Sequence, residues 1–128
     1  MPRVKLPTFV IQEHEGLGSV WHHDLRLERD GVWKSWAVSG GVPEESGIQR
    51  VTHPSPDSAL SYGTFEGKIP NGYGGPGQVR IWDRGTYETK SWSDTEIEVT
   101  FHGTRLSGDY ILRWIERMNN WILWKRRC

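Results

Sequence analysis

The stretch from Val20 to Val38 alternates apolar and polar side chains on either side of Asp30-Gly31, a pattern that a β-hairpin satisfies and a helix does not. An Asp-Gly pair tolerates the positive φ angles of a two-residue type I′ turn, whose twist matches that of the strands it joins. With those two residues as the loop, Arg29 faces Val32, and counting back pairs Arg26 with Ser35, Leu25 with Trp36 and Asp24 with Ala37. One face then carries Trp21, His23, Leu25, Leu27, Lys34, Trp36 and Val38. The other carries His22, Asp24, Arg26, Glu28, Ser35 and Ala37, so ionisable groups project together beside small residues that leave them room.

Further short strands are predicted at Gln78 to Trp82, then, after a turn at Asp83-Arg84-Gly85, at Thr86 to Lys90. Glu96 to His102, Tyr110 to Ile115 and Trp121 to Lys125 complete the set, with Met118-Asn119-Asn120 between the last two. Gly and Pro punctuate these runs, as in a β-sandwich or barrel. Ser39 to Ser58 and Ile69 to Gly77 read as long loops, and Glu44 to Gln49 is the one candidate helical turn. A chain of 128 residues has the size of one domain, 1–128. Much of its apolar mass sits in eight tryptophans, each able to bury on the order of 150–250 Å². Trp36, Trp114 and Trp124 fall in alternating strands and read as core; Trp92, between Ser91 and Ser93, is the best exposed candidate.

Lys and Arg balance Asp and Glu at 16 each, which excludes an all-over basic surface but not a local patch. A single cysteine, Cys128, cannot form an internal disulfide. The stretch MPRVKLPTFV has no apolar run long enough for a signal peptide, and nowhere are there about 18 consecutive apolar residues. The expectation is a soluble, cytoplasmic protein without a membrane partner, and a monomer.

His22-x-Asp24-x-Arg26-x-Glu28 puts four ionisable groups on one strand face. Imidazole nitrogen and carboxylate oxygen suit Mn²⁺, Fe²⁺, Co²⁺ or Zn²⁺, and three protein ligands leave positions open for substrate. The plainer reading is a solvated strand face with a fortuitous His-x-Asp. His23 points the other way, as a core histidine. His14 lies eight residues earlier, across Gly16-Leu17-Gly18, which can turn the chain back and bring it beside the strand. Arg26 would aim a planar fork at a metal-held phosphate, the alternative being an ion pair with Asp24 or Glu28.

The segments QEH, HHDLRLERDGVWKSWAV, YGTFEGKIPNGYGGPGQVRIWDRGTYE, LSGDYILRW and NNWILWKRR resemble the 3′-phosphoesterase domain of bacterial and archaeal ligase D, from about Phe9 to Lys125. That resemblance implies a small, closed or nearly closed β-barrel, here free-standing, that uses Mn²⁺ to trim a 3′-terminal ribonucleotide and remove a 3′-phosphate in end-joining repair. DNA or DNA-RNA primer 3′ ends are the implied substrate, with a separate ligase, polymerase and end-binding protein as partners in a prokaryotic cell. By position, His14, His22 and Asp24 match the metal ligands. Arg26 and Tyr62 match groups that bind the phosphate, the alternative for Tyr62 being an aromatic packed next to Phe65.

Three departures qualify the match. His14 and His22 are two residues further apart than usual. Gly40 stands where the family has a lysine; Arg50 and Lys68 are the nearby cations. The family's Asp-His-Pro-Leu-x-Tyr run, whose histidine contacts phosphate, has two alignments here: ungapped counting from Tyr62 puts Ser58 at the histidine and pairs Arg50 with a family arginine, whereas His53-Pro54 restores the His-Pro with about five inserted residues. The second is preferred, because lengthening a loop costs little, about 0.6 kcal/mol per doubling. His53 is thus expected to bind phosphate or protonate the leaving oxygen, with Arg26 and Tyr62 beside it and Arg50 as a further phosphate contact. A binding module that lost turnover is the non-enzymatic alternative. An Fe²⁺ oxygenase using His22, Asp24 and His102 with Arg113 is the enzymatic one.

Overall fold

A computed structural model describes residues 5–16, 21–69 and 77–127. Its strands are β1 (Thr8–Gly16), β2 (His22–Arg29), β3 (Val32–Ser39), β4 (Gln49–Ser58), β5 (Gly67–Ile69), β6 (Gly77–Trp92), β7 (Glu96–Gly103), β8 (Ser107–Ile115) and β9 (Asn120–Lys125). Hydrogen bonding runs in the order β1-β2-β3-β4-β9-β8-β7-β6 and then from β6 back to β1, while β5 pairs with the start of β6. The result is a closed, antiparallel, eight-stranded barrel. Closure removes the exposed sheet edges that an open sheet of this size would have to protect. Among the described residues no helix is long and apolar enough to cross a membrane.

The β2–β3 hairpin has the register derived from the sequence, with Arg29 opposite Val32 and Asp24 opposite Ala37. Asp30 and Gly31 take φ of 56° and 78°, as a type I′ turn requires. The Leu25, Leu27, Trp36 and Val38 face points into the barrel, where it meets Phe9, Ile11, Val99, Phe101, Tyr110 and Leu123. The opposite face, with His22, Asp24 and Arg26, is therefore the outer wall.

Several expectations are corrected. The turn expected at Asp83-Arg84-Gly85 is absent, because β6 runs through it as one strand of 16 residues. Asp83 is buried, and its carboxylate accepts hydrogen bonds from the backbone N–H groups of Thr104, Arg105 and Leu106 at 2.8–3.1 Å, closing the β7–β8 turn. Gly85 is needed for contact rather than for turning, since a Cβ there would collide with the carbonyl oxygen of His102. β6 can then pair with β1 through Thr86 and with β7 from Gly85 onward, which is how the barrel closes.

The long loop expected at Ser39 to Ser58 is half strand. Residues Gln49 to Thr52 of β4 pair with β9, and the rest of β4 pairs with β3 alone. Pro54 and Pro56 lie beyond the last β9 partner, on an open edge where a missing N–H costs no ladder bond. Glu44 to Gln49 forms no helix; the short 3-10 turns are at Leu60–Thr64 and Glu116–Met118. Trp92 packs on the core beside Trp36 and carries the Arg29 guanidinium 4.1 Å over its ring, so it is not an open platform. Trp36 is buried in the core as expected, whereas Trp114 and Trp124 are only partly buried. Most of the loop expected at Ile69 to Gly77, and residues 17, 18 and 128, lie outside the described residues.

Asp83→Ala removes the acceptor of three backbone N–H groups in the β7–β8 turn, that of Leu106 being buried. It is expected to destabilise the domain by about 2–4 kcal/mol, read as a lower urea midpoint at unchanged slope.

Candidate metal centre

His14, on β1, is the direct cross-strand partner of His22 on β2, and Gln12 is the partner of Asp24. Alternation therefore brings His14, His22 and Asp24 to one patch of the outer wall, where one ligand atom of each lies within 4.8 Å of the other two. His22 Nε2 and Asp24 Oδ1 are 3.1 Å apart, the separation shown by two neighbouring ligands of one ion at about 2.1 Å. His14 is buried, and its Nε2 has no hydrogen-bond partner. A buried polar nitrogen without a partner is costly, and a metal ion would satisfy it. Two imidazoles and one carboxylate suit a divalent transition metal, so the residues present fit such an ion.

Burial is the main reason that the His14 imidazole lies below its ordinary pKa, with His22 adding to the shift and Asp24 opposing it. The neutral ring, which is the form that binds metal, is thereby favoured. His23 also lies low, chiefly through burial, against the opposing hydrogen bond and charge of Glu13. Its Nδ1 accepts the Val42 N–H at 2.9 Å, leaving Nε2 to face Glu13 at 3.3 Å. It is a structural histidine inside the rim, as its place on the hairpin predicts.

Arg26 is 8% exposed. Its Nε donates to Gln12 Oε1 at 2.6 Å, and its Nη1 to Ser35 Oγ at 2.9 Å and Ser58 Oγ at 3.3 Å. A guanidinium has five N–H donors. Those on Nη2 remain, and Nη2 is 3.9 Å from Asp24 Oδ2, on the side of the metal patch. The Tyr62 ring covers the other side, 4.8 Å from Arg26 Cζ, and stacks on Phe65 at 5.4 Å. Burial lowers the Arg26 pKa while Asp24 and Tyr62 oppose the shift, yet a guanidinium stays charged near neutrality.

The two alignments of β4 lead to different places. A bulge sets Ser55 opposite Ser35 but Ser58 opposite Trp33. That extra residue turns Ser58 to the outer wall, where it meets Arg26; simple alternation from His53 would turn it inward. His53 is exposed on the same wall, opposite Ala37, which is itself opposite Asp24. Two strand spacings put it roughly 10 Å from Asp24. Arg50 donates from Nε to the Gly41 carbonyl at 3.2 Å, and its Nη1 lies 3.4 Å from where a Cβ on Gly40 would stand. The cation of β4 thus occupies space that a side chain at position 40 would enter. His102 is exposed and bonded to Glu88 at 2.6 Å, and Arg113 is bonded to Glu96; neither is in the metal patch. The side chain of Lys68 lies outside the described residues.

Gln12 was not anticipated. It is fully buried, accepts from Arg26 and donates from Nε2 to the carbonyls of Tyr62 and Phe65 at 2.9 and 3.1 Å. Its two-residue spacing from His14 on an alternating run was the available signal.

The family model described as the DNA Ligase D 3'-phosphoesterase domain matches residues 12–113, a span that includes every residue of this site. The chain belongs to this family. Among proteins similar to this phosphoesterase-family chain is the multifunctional non-homologous end joining protein LigD of Mycobacterium bovis, 44% identical over 124 residues, covering 88% of this chain and 16% of that protein. LigD of Mycolicibacterium smegmatis is 42% identical over 115 residues, covering 81% of this chain and 15% of its own. LigD of Pseudomonas aeruginosa is 42% identical over 109 residues, covering 81% and 13%. This phosphoesterase-family chain thus spans about one sixth of the length of the curated relatives it matches.

Two outcomes follow from this geometry. Gln12→Ala releases both Arg26 and the Tyr62 segment, so hydrogen exchange at Tyr62 and Phe65 should accelerate while the core strands keep their protection; equal acceleration throughout would mean general unfolding. For the two lowered imidazoles, the unfolded chain binds more protons than the native one below about pH 6.5, so their stabilisation is complete above that pH and is lost as pH falls. The urea midpoint should be lower at about pH 5.5 than at about pH 7.5; an unchanged midpoint would contradict the assignment.

Proposed function

We propose that the domain is a metal-dependent phosphoesterase that processes DNA 3′ ends, removing a 3′-terminal ribonucleotide and a 3′-phosphate. The observation that carries this reading is the side-by-side placement of the His14, His22 and Asp24 donor set and the unused Nη2 donors of Arg26. Asp24 and Arg26 cancel in charge, so a bound divalent cation would leave a positive patch suited to a phosphate. Membership of the family and the end-joining names of its relatives support the DNA-repair setting. Action at primer ends alongside a ligase, a polymerase and an end-binding protein, inside a prokaryotic cell, belongs to the same proposal.

His14 Nε2, His22 and Asp24 would hold the ion, with Mn²⁺ as the proposed metal. When bound, it supplies Lewis-acid stabilisation of charge developing on the phosphate oxygens. Arg26 Nη2 would bind two of those oxygens from a fixed position, since Gln12, Ser35 and Ser58 anchor the rest of the guanidinium. Tyr62, over the same guanidinium, would close the phosphate pocket. Water or the neighbouring ribose 2′-hydroxyl is the attacking group. His53, exposed on the same wall two strands from Asp24, would protonate a leaving oxygen of a substrate lying across Ala37, and Arg50 would contact the adjoining phosphate.

Asp24→Ala should abolish the Mn²⁺-dependent release of phosphate, and of a terminal ribonucleoside, from a primer-template while leaving the fold intact by circular dichroism. Full activity in that variant without metal would exclude the model. Arg26→Lys should lower kcat/KM on the order of 100-fold, because an ammonium cannot reach Gln12, both serines and phosphate together. His53→Ala and Ser58→Ala separate the alignments: a loss confined to Ser58→Ala removes His53 from the site.

A second reading has its own observation. Ser58, whose hydroxyl does not ionise near neutral pH and so makes a poor general acid, is the β4 side chain beside Arg26. A 3′-end-binding module with weakened turnover follows if the wild-type protein binds these primers with Mn²⁺ and neither shortens them nor releases phosphate.

A further inference from the structure

We infer that Trp33 is a positioning residue for the phosphate pocket: its indole sets the height at which the Leu60–Thr64 turn carries Tyr62 over Arg26. The inference rests on the 3′-end function proposed above. Trp33 is the cross-strand partner of Glu28 on β2 and of Ser58 on β4, and it alternates with Ser35, so it belongs to the outer wall that bears Arg26. It is 6% exposed, yet it stands outside the cluster that fills the barrel. A large apolar side chain buried on an outer wall needs a cover, and here the cover is the turn.

That turn cannot hold itself. Gly63 is its one buried residue, and its own backbone bonds run from the Tyr62 N–H to the Ala59 carbonyl and from the Phe65 N–H to the Tyr62 carbonyl, at 3.0 and 3.1 Å. So short a 3-10 segment takes its place from what it packs on. Trp33 supplies two supports. A Cβ on Gly63 would lie 2.5 Å from Cζ2 of the indole, so the turn rests directly on the ring, and Nε1 donates to the Leu60 carbonyl at 2.9 Å. Gln12 holds the far end through the carbonyls of Tyr62 and Phe65. Tyr62 lies between these supports, with its ring centroid 4.8 Å from Arg26 Cζ. Gly63 is not among the glycines at positive φ, so its missing side chain answers to the ring beneath it and not to the backbone. A side chain there would lift the turn, and a smaller residue at position 33 would let it sink. The attraction between a ring and a cation acts within about 6 Å. Either displacement therefore takes Tyr62 off the guanidinium and opens the pocket that a terminal phosphate would enter.

The first readout needs no substrate. The Arg26 Nε–H, bonded to the buried Gln12, lies under the Tyr62 ring and should give an NMR resonance shifted by it, recorded on the whole chain without metal. Trp33→Ala and Gly63→Ala should move that resonance as Tyr62→Leu does. Trp33→Phe, which keeps a ring under Gly63, should return it most of the way, as should Gly63→Ala combined with Trp33→Leu, which frees the space the methyl group needs. The second readout is affinity by stopped-flow anisotropy with Mn²⁺, for a primer-template ending in a 3′-phosphate against the same primer ending in a 3′-hydroxyl. Wild type should prefer the phosphate. Trp33→Ala and Gly63→Ala should reduce that preference on the order of 10-fold, with affinity for the 3′-hydroxyl primer within about 2-fold of wild type. Gly63 lies outside the barrel, so its variant carries the test if Trp33→Ala unfolds the chain. An unmoved Arg26 resonance, or an equal loss of affinity for both primers, would overturn the inference. So would failure of both Trp33→Phe and the double variant to recover the resonance. A resonance that follows Trp33 while wild type binds the two primers equally would defeat the 3′-end function and leave Trp33 as the residue that places Tyr62.

Discussion

The buried guanidinium of Arg26 is the constraint around which this side of the barrel is organised. A cation removed from water on the outer wall is unfavourable unless hydrogen bonds replace its hydration. Here β1 supplies Gln12, β3 supplies Ser35, β4 supplies Ser58 and the Leu60–Thr64 turn lays Tyr62 over the face. The cover is itself locked. Trp33 is pressed against Gly63 so closely that a Cβ there would lie 2.5 Å from its ring, and its Nε1 donates to the Leu60 carbonyl at 2.9 Å. Gln12 joins the two halves, because the amide that orients Arg26 also holds the carbonyls of the covering turn. Two groups remain unsatisfied: the Arg26 Nη2 donors, on the Asp24 side, and the buried His14 Nε2.

The parts of this arrangement legible in the sequence are those that depend on local periodicity. Asp30-Gly31 dictates a two-residue turn, the turn dictates register, and register places His22, Asp24 and Arg26 on one face opposite Leu25 and Leu27. His14 could be brought alongside because a glycine-containing connection joins two strands that must then be neighbours. Features that depend on distant chain segments were not legible. Asp83 resembled a turn residue because Asp-Arg-Gly is common in turns, and nothing local reveals that its carboxylate caps a turn more than twenty residues later. Ser58 stood at the site in one of two alignments, in a segment read as a loop, and what turns it to Arg26 is the bulge in β4, which no local pattern signals. The role of Gln12 exists only once the covering turn is in place, and nothing local to the residue signals it.

The family resemblance and the geometry bear on different questions. Resemblance along most of the chain identifies which residues correspond, but it leaves two alignments of β4. The geometry separates the two alignments: Ser58 touches Arg26, while His53 stands two strands from Asp24. Arg50 likewise takes a meaning from its position against Gly40, since the missing side chain at one residue makes room for the cation of another.

β6 is one strand serving three neighbours, β1 and the short β5 through its first half and β7 through its second. The β1–β6 seam joins residues about seventy positions apart, whereas the β1–β2 and β2–β3 ladders are local. Long-range pairings form late because a large loop must be ordered before any contact rewards it. The order of assembly implied is that the strands bearing His14, His22 and Asp24 come together early, in a three-stranded meander that still lacks both its seam and its cover. An ion captured at that stage would bind a flexible patch, and its hold would tighten as β6 closes the wall and the Leu60–Thr64 turn settles over Arg26. Metal binding and the last step of folding would then be coupled events in this domain.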